Sequence, residues 1–172
     1  SAVRGDGTLI EMLLRRDGSE TTLLVSANAL NRETGGFATE NGERLVPYSA
    51  DNNLLVHRVV LFPSEAAEYT SQAALLAELR AFIHRFVDLP EDFEEIAAHY
   101  ALYTWIYDVF QEAPYLRVRG DYGSGKSRFL LTVGSLCYKP IFASGASTTS
   151  PIFRILDAFR GTLVIDESDF RL

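Results

Sequence analysis

The spacing of apolar and polar positions changes period along this chain, and the changes divide it. Residues 8–14 and 21–25 are rich in strand formers and flank Asp17-Gly18, a dipeptide that accepts the positive φ angles of a tight turn, so a β-hairpin is predicted. Residues 31–37 read as a loop, Asn41-Gly42 marks a second turn, and the apolar run 54–62, closed by Pro63, predicts a further strand. Residues 1–62 are therefore expected to form a small β-rich accessory unit. Its charges, Arg15, Arg16, Arg32, Glu33, Glu43 and Arg44, fit solvated hairpin faces and loops, with an interaction role as the alternative.

From Ser64 the period becomes 3.6. Leu75, Leu76, Leu79, Phe82, Ile83 and Phe86 form one apolar stripe on a helix that Thr70 or Ser71 could cap. A second helix is expected from Pro90, with Glu91, Asp92, Glu94 and Glu95 at the positive end of its dipole, running through Tyr100, Tyr103, Trp105, Tyr107 and Phe110 until Pro114. Its aromatics are assigned to packing rather than base stacking. Residues 115–119 then alternate as a strand, 127–137 carry helical spacing, and 139–144 read as a short strand. Ser150 and Pro151 read as the cap and first position of a helix reaching Phe159, and 161–167 form an apolar strand ending in Asp166-Glu167. Strand, helix, strand, helix, strand is the first part of a three-layer α/β domain with a parallel sheet, expected within residues 63–172. Arg154 and Arg160 are expected on the surface of the last helix, solvated or contacting a neighbouring subunit or nucleic acid.

Composition narrows the picture little. With 47% hydrophobic and 23% charged residues the chain has the profile of a soluble globular protein. Its apolar runs are shorter than a bilayer requires and its first residues lack a secretory apolar region, so no membrane partner and a cytoplasmic location are expected. Cys137 is the only cysteine, which rules out an internal disulfide, and the three histidines lack metal-ligand spacing. The net charge of −7 argues against a broad basic face for nucleic acid, though a local channel remains open.

The chemistry is concentrated in Gly120-Asp121-Tyr122-Gly123-Ser124-Gly125-Lys126-Ser127, which fits G-x-x-x-x-G-K-[ST] between an expected strand and an expected helix. Glycines let the backbone turn sharply toward a ligand, while exposed amides and the helix dipole favour an anion. Residues 120–128, Arg128 included, are the candidate binding site for ATP. Lys126 would reach the β- and γ-phosphates, and Ser127 would ligate Mg²⁺. The strand ending in Asp166-Glu167 would deliver two carboxylates to its C-terminal end.

With both motifs placed, residues 90–172 resemble the P-loop ATPases with a catalytic glutamate, the AAA+ and RecA-like group, and look closest to ATPase modules of phage and plasmid primase-helicases. The resemblance rests on Pro114-Tyr115-Leu116 entering the loop, the Gly-Ser-Gly-Lys-Ser core, Ser147-Thr148-Thr149-Ser150-Pro151 before a short helix, and 161–167 as a Walker B segment. It implies Lys126 and Glu167 as catalytic residues, Glu167 activating water, and Asp166 joining Ser127 on Mg²⁺. It also implies a ring homo-oligomer acting as a helicase or translocase on single-stranded or duplex DNA. A nucleotide-gated switch or scaffold with a protein partner is the alternative, and a kinase fits less well because Glu167 after Asp166 supplies a base for water. In this family a sensor strand, a last core strand and an arginine finger follow the Walker B strand, so the chain is expected to be a fragment holding an incomplete domain.

Overall fold

The computed structural model describes residues 2–3, 7–28, 30–39, 42–144 and 149–166. The chain divides into two compact units, residues 1–67 and 68–172.

In the first unit, β1 (Ala2–Val3), β2 (Leu9–Leu14), β3 (Thr21–Ala27) and β4 (Leu30–Thr34) form an antiparallel sheet in that order. The β2–β3 hairpin turns as its sequence predicts. Gly18 has φ +75°, and Asp17 accepts hydrogen bonds from the Ser19 hydroxyl (2.7 Å) and amide (3.0 Å). Those bonds, the hydroxyl's foremost, hold the Asp17 carboxyl below its ordinary range. Ile10, Met12, Leu23 and Val25 are buried in the unit's core. Strand β4 replaces the expected loop. It is a largely exposed edge strand paired with β3, so it carries no apolar alternation to betray it. Strands β5 (Phe37–Ala38) and β6 (Arg44–Leu45) form a second small hairpin, with Gly42 at φ +79° between them.

The strand expected over 54–62 is instead a short helix, α1 (Asn53–Val56). Asn52 Oδ1 accepts from the Leu54 amide (2.9 Å), and Arg58 at φ +52° closes the turn. A continuous apolar run carries no period, and a side-chain cap decided the matter. Leu55 and Val60 reach the core from it.

The second unit is mixed α/β. Helix α2 (Gln72–Phe86) starts at Ser71, whose Oγ accepts from the Ala74 amide (3.1 Å). It packs on α3 (Glu91–Thr104) and α4 (Lys126–Leu136) around Ile83, Ala97, Ala98, Phe129 and Val133. Of the predicted stripe, Ile83 is fully buried, whereas Phe82 and Phe86 meet at the surface in a tilted pair with ring centroids 5.0 Å apart. Glu94 is more than a dipole partner. It is buried, accepts from Arg80 Nε (3.3 Å) and bonds His84 Nδ1 (3.0 Å), pinning α2 to α3.

Helix α3 stops at Thr104, short of the predicted Pro114. There the Thr104 hydroxyl donates to Ala101 O (2.6 Å) and accepts from the Tyr138 amide (2.9 Å), while Trp105 Nε1 donates to Leu136 O (2.9 Å). A 3-10 turn follows at Tyr107–Val109. Strands β7 (Ile141–Ser144) and β8 (Leu163–Asp166) pair in parallel, with α5 (Thr149–Phe159) between them in sequence. Ser150 and Pro151 lie inside the first turn of α5 rather than at its start, which Pro151 tolerates because the first helical amides have no intrahelical acceptor. No helix among the described residues is long and apolar enough to cross a membrane.

Residues 115–119 depart furthest from expectation. They belong to neither a strand nor a helix. Their alternation is real, since Leu116 and Val118 pack against the core cluster while Tyr115, 97% exposed, faces away. Among the described residues no neighbouring backbone pairs with them, and without one an extended segment forms no ladder.

Candidate functional site

The loop at residues 120–125 is built by glycines at two places where a side chain would be strained. Gly123 and Gly125 have φ +78° and +83°, and Gly125 is the N-cap of α4. The first intrahelical bond runs from the Phe129 amide to Gly125 O (2.9 Å), so the amides of Lys126, Ser127 and Arg128 precede it and point out of the helix start. The helix carries no acid in its first turn to compete for that positive end. Asp121, Tyr122, Ser127 and Arg128 are exposed, Tyr122 completely at 104%.

Lys126 curls back over the loop. Its Nζ donates to Gly120 O (2.8 Å) and Asp121 O (2.6 Å), and the Ser124 amide also donates to Asp121 O (3.2 Å). The ammonium is thereby held above the loop without a carboxylate partner among the described residues.

The approach to the loop is held by side chains in place of a strand partner. Tyr103 Oη donates to Glu112 O (2.8 Å) and Tyr100 Oη to Pro114 O (3.4 Å), while the half-buried Leu116 and Val118 pack against the core cluster. Burial raises the Tyr100 phenol's pKa, which keeps it a donor.

Asp166 is brought to the same end of the unit. The Tyr138 carbonyl accepts from the Thr162 amide (2.9 Å), so the chain leaving α4 arrives beside the N-terminal ends of β7 and β8. Helix α4 therefore runs antiparallel to the strands, and its N-terminus lies at their C-terminal ends. Gly134 marks the crossing, because a Cβ there would sit 2.9 Å from Val164 Cγ2 and 3.2 Å from Phe142 Cε1. From that crossing the helix rises about 12 Å to Lys126, while the strands advance about 7 Å to Ser144 and Asp166.

Alternation decides which way Asp166 faces. Val164 and Phe142 look at α4, so the residues two further on, Asp166 and its in-register partner Ser144, share that face. Loop, Ser127 and Asp166 thus converge on one edge and one face. Glu167, Ser147 and Thr148 lie outside the described residues.

The donor set suits a hard divalent cation, since a hydroxyl and a carboxylate supply oxygen and no soft ligand is nearby in the motif. Among the described residues no cluster of three or more histidine, cysteine or acidic side chains forms a ready-made metal site. A cation held here would need oxygens from a bound phosphate or from water, as Mg²⁺ does.

Other features do not join the site. The apolar cavity of about 600 Å³ lined by Leu75, Leu79, Ala101, Leu102, Trp105 and Leu136 sits at the opposite end of α4. Cys137 is buried, donates to Val133 O (3.3 Å), and has its thiol pKa pushed up to about 11 by desolvation, which makes it inert. Arg154 and Arg160 are exposed, and Arg160 O accepts from Tyr107 Oη (3.4 Å). Sequence reasoning anticipated the glycine turns before α4 but missed Gly134 and the tyrosine anchors. Comparison with protein-family models, curated proteins and solved structures gives no match to this chain.

Proposed function

We propose that the second unit is of the P-loop ATPase kind, binding MgATP on residues 120–128 and hydrolysing it. The observation that carries this reading is the convergence of the loop, the open start of α4 and Asp166 on one edge and one face of β7 and β8. Ligands of open α/β sheets bind at the carboxyl ends of the strands, where helix N-termini and strand-end side chains meet.

In this reading the amides of Lys126, Ser127 and Arg128 take phosphate oxygens, aided by the helix dipole. Lys126 exchanges its two neutral carbonyl acceptors for the ionised oxygens of the β- and γ-phosphates. Ser127 and Asp166 hold Mg²⁺, which when bound offsets charge that develops on the phosphate oxygens. Glu167 is the base that orients water for in-line attack.

Within the same proposal, the ATPase drives a helicase or translocase on DNA as part of a ring oligomer. A titration with a mant-labelled ATP in excess Mg²⁺ tests the site. Wild type is expected to bind and Lys126→Ala to lose binding, and equal affinity would refute the assignment. Stimulation of turnover by single-stranded DNA separates a motor from a nucleotide-gated switch.

A further inference from the structure

We infer that the outward side of residues 115–119, carrying Tyr115, Arg117 and Arg119, is a contact surface for single-stranded DNA, the tyrosine stacking on a base and the two guanidinium groups meeting successive phosphates. The inference rests on the DNA-acting part of the reading above and names the surface that would serve it. Three observations carry it. The segment is two-sided: Leu116 and Val118 pack against the core cluster, while Tyr115, 97% exposed, and the exposed Arg117 and Arg119 lie on the other side. Neither arginine has a hydrogen-bond or ion-pair partner among the described residues, whereas Arg15, Arg16 and Arg80 are each paired with a carboxylate. The charge is also local: in a chain of net charge −7, residues 115–128 hold Arg117, Arg119, Lys126 and Arg128 against the single carboxylate of Asp121.

The chemistry favours a single strand. Alternate residues of an extended chain stand about 6.6 Å apart on one side, so the three side chains form a row rather than a cluster. Cations that track the backbone and aromatic rings on which bases stack are the two devices by which proteins hold unpaired strands, and this row interleaves them. Arginine suits the phosphates because its planar fork meets two oxygens at once. No packing has to be undone to free a ring as exposed as Tyr115, and a base laid on it removes apolar surface of both from water. A duplex keeps its bases paired and stacked and offers the ring no such face. The row is also fixed before any strand arrives, through Leu116 and Val118 in the core and through the Tyr100 and Tyr103 hydroxyls on the carbonyls of Pro114 and Glu112.

The test follows the anisotropy of a fluorescein-labelled oligothymidylate as the full chain is added, without nucleotide and at several salt concentrations, for wild type, Tyr115→Ala, Tyr115→Phe and the Arg117→Ala/Arg119→Ala double variant. The double variant is expected to weaken binding about 10-fold and to flatten the slope of log affinity against log salt by about 1.4, at ~0.7 for each phosphate contact on a single strand. Tyr115→Ala is expected to weaken binding about 10-fold with the slope unchanged, and Tyr115→Phe to retain it. All three variants should bind mant-labelled ATP as wild type does, which reports that they are folded. Variants that bind the oligonucleotide like wild type, a wild type that does not bind it, or one that prefers the same strand annealed to its complement would overturn the surface, and Lys126-dependent binding of mant-labelled ATP by the same proteins would leave the MgATP reading standing. Binding of mant-labelled ATP that ignores Lys126→Ala overturns the nucleotide site instead, and the oligonucleotide titrations still decide the surface.

Discussion

Replacing Gly134 with alanine sets two effects of opposite sign against each other. In an exposed helix interior, Gly→Ala stabilises by about 1 kcal/mol through backbone propensity. Here the new Cβ would stand 2.9 Å from Val164 Cγ2, 3.2 Å from Val164 Cγ1 and 3.2 Å from Phe142 Cε1. Val164 is buried and β-branched, so its methyls cannot rotate away cheaply. Overpacking of this kind costs about 1–3 kcal/mol, which leaves Gly134→Ala less stable by about 1 kcal/mol and Gly134→Val by more. Val164→Ala removes both offending methyls, at a loss of about 1.6 kcal/mol at ~0.8 kcal/mol per methyl. The double variant is then expected to be more stable than the sum of the singles by about 1–2 kcal/mol, since each change relieves the other. Urea unfolding followed by fluorescence is the assay, because Trp105 is the only tryptophan and reports the second unit. A Gly134→Ala protein that gains about 1 kcal/mol, or strictly additive energies, would refute the close approach of α4 to the strands and the direction assigned to Asp166.

Gly161→Ala should be far worse than Gly134→Ala, because its Cβ would fall 2.0 Å from the Lys139 carbonyl oxygen, which is backbone and cannot swing aside; a loss above about 4 kcal/mol or failure to fold is expected, and normal urea unfolding would contradict it. Cys137 carries a pH dependence whose sign follows from its raised pKa. The folded state keeps the thiol protonated up to about 11 against an ordinary 9.0, so its stabilising share is whole below pH 9 and lost as pH rises from there through 11. Unfolding midpoints measured between pH 8 and 11 should fall, and Cys137→Ala should flatten the fall; an equal slope in that variant would remove the thiol as its cause.

Much of this was legible because it is local. Ser71 and the Leu76, Leu79, Ile83 stripe announce α2, Asp17-Gly18 announces the first hairpin, and the glycines at 123 and 125 announce the left-handed turns before α4. The misreadings share a non-local cause. Residues 115–119 have a strand's alternation, but strand status belongs to a pair, and no neighbour among the described residues supplies the second backbone. The apolar run at 54–62 suits helix or strand equally, and Asn52 tipped it. Helix α3 ends where Thr104 meets the Tyr138 amide, a contact across 34 positions of sequence that no window could foresee. Glu94 looked like one of several dipole acids, and only the packing of α2 selects it over Glu91, Asp92 and Glu95 for burial.

The tyrosines of α3 show how much of the loop's placement lies outside the motif. As packing residues they account for the buried parts of their rings, yet Tyr100 and Tyr103 also spend their hydroxyls on the carbonyls of Pro114 and Glu112, at the point where the chain turns toward the loop. Leu116 and Val118 continue the same hold into the core cluster to which α4 contributes Phe129 and Val133. Both ends of the loop are therefore tied to one core, the entry through α3 and the exit through α4, while α4 is separately tied to β7 and β8 by the bare backbone of Gly134. A loop that binds phosphate as proposed would need that rigidity more than strand pairing, because amides contribute to anion binding in proportion to how well they are held in place before the anion arrives. The motif specifies which atoms can meet a phosphate; α3, Gly134 and the two parallel strands specify where they stand relative to Asp166.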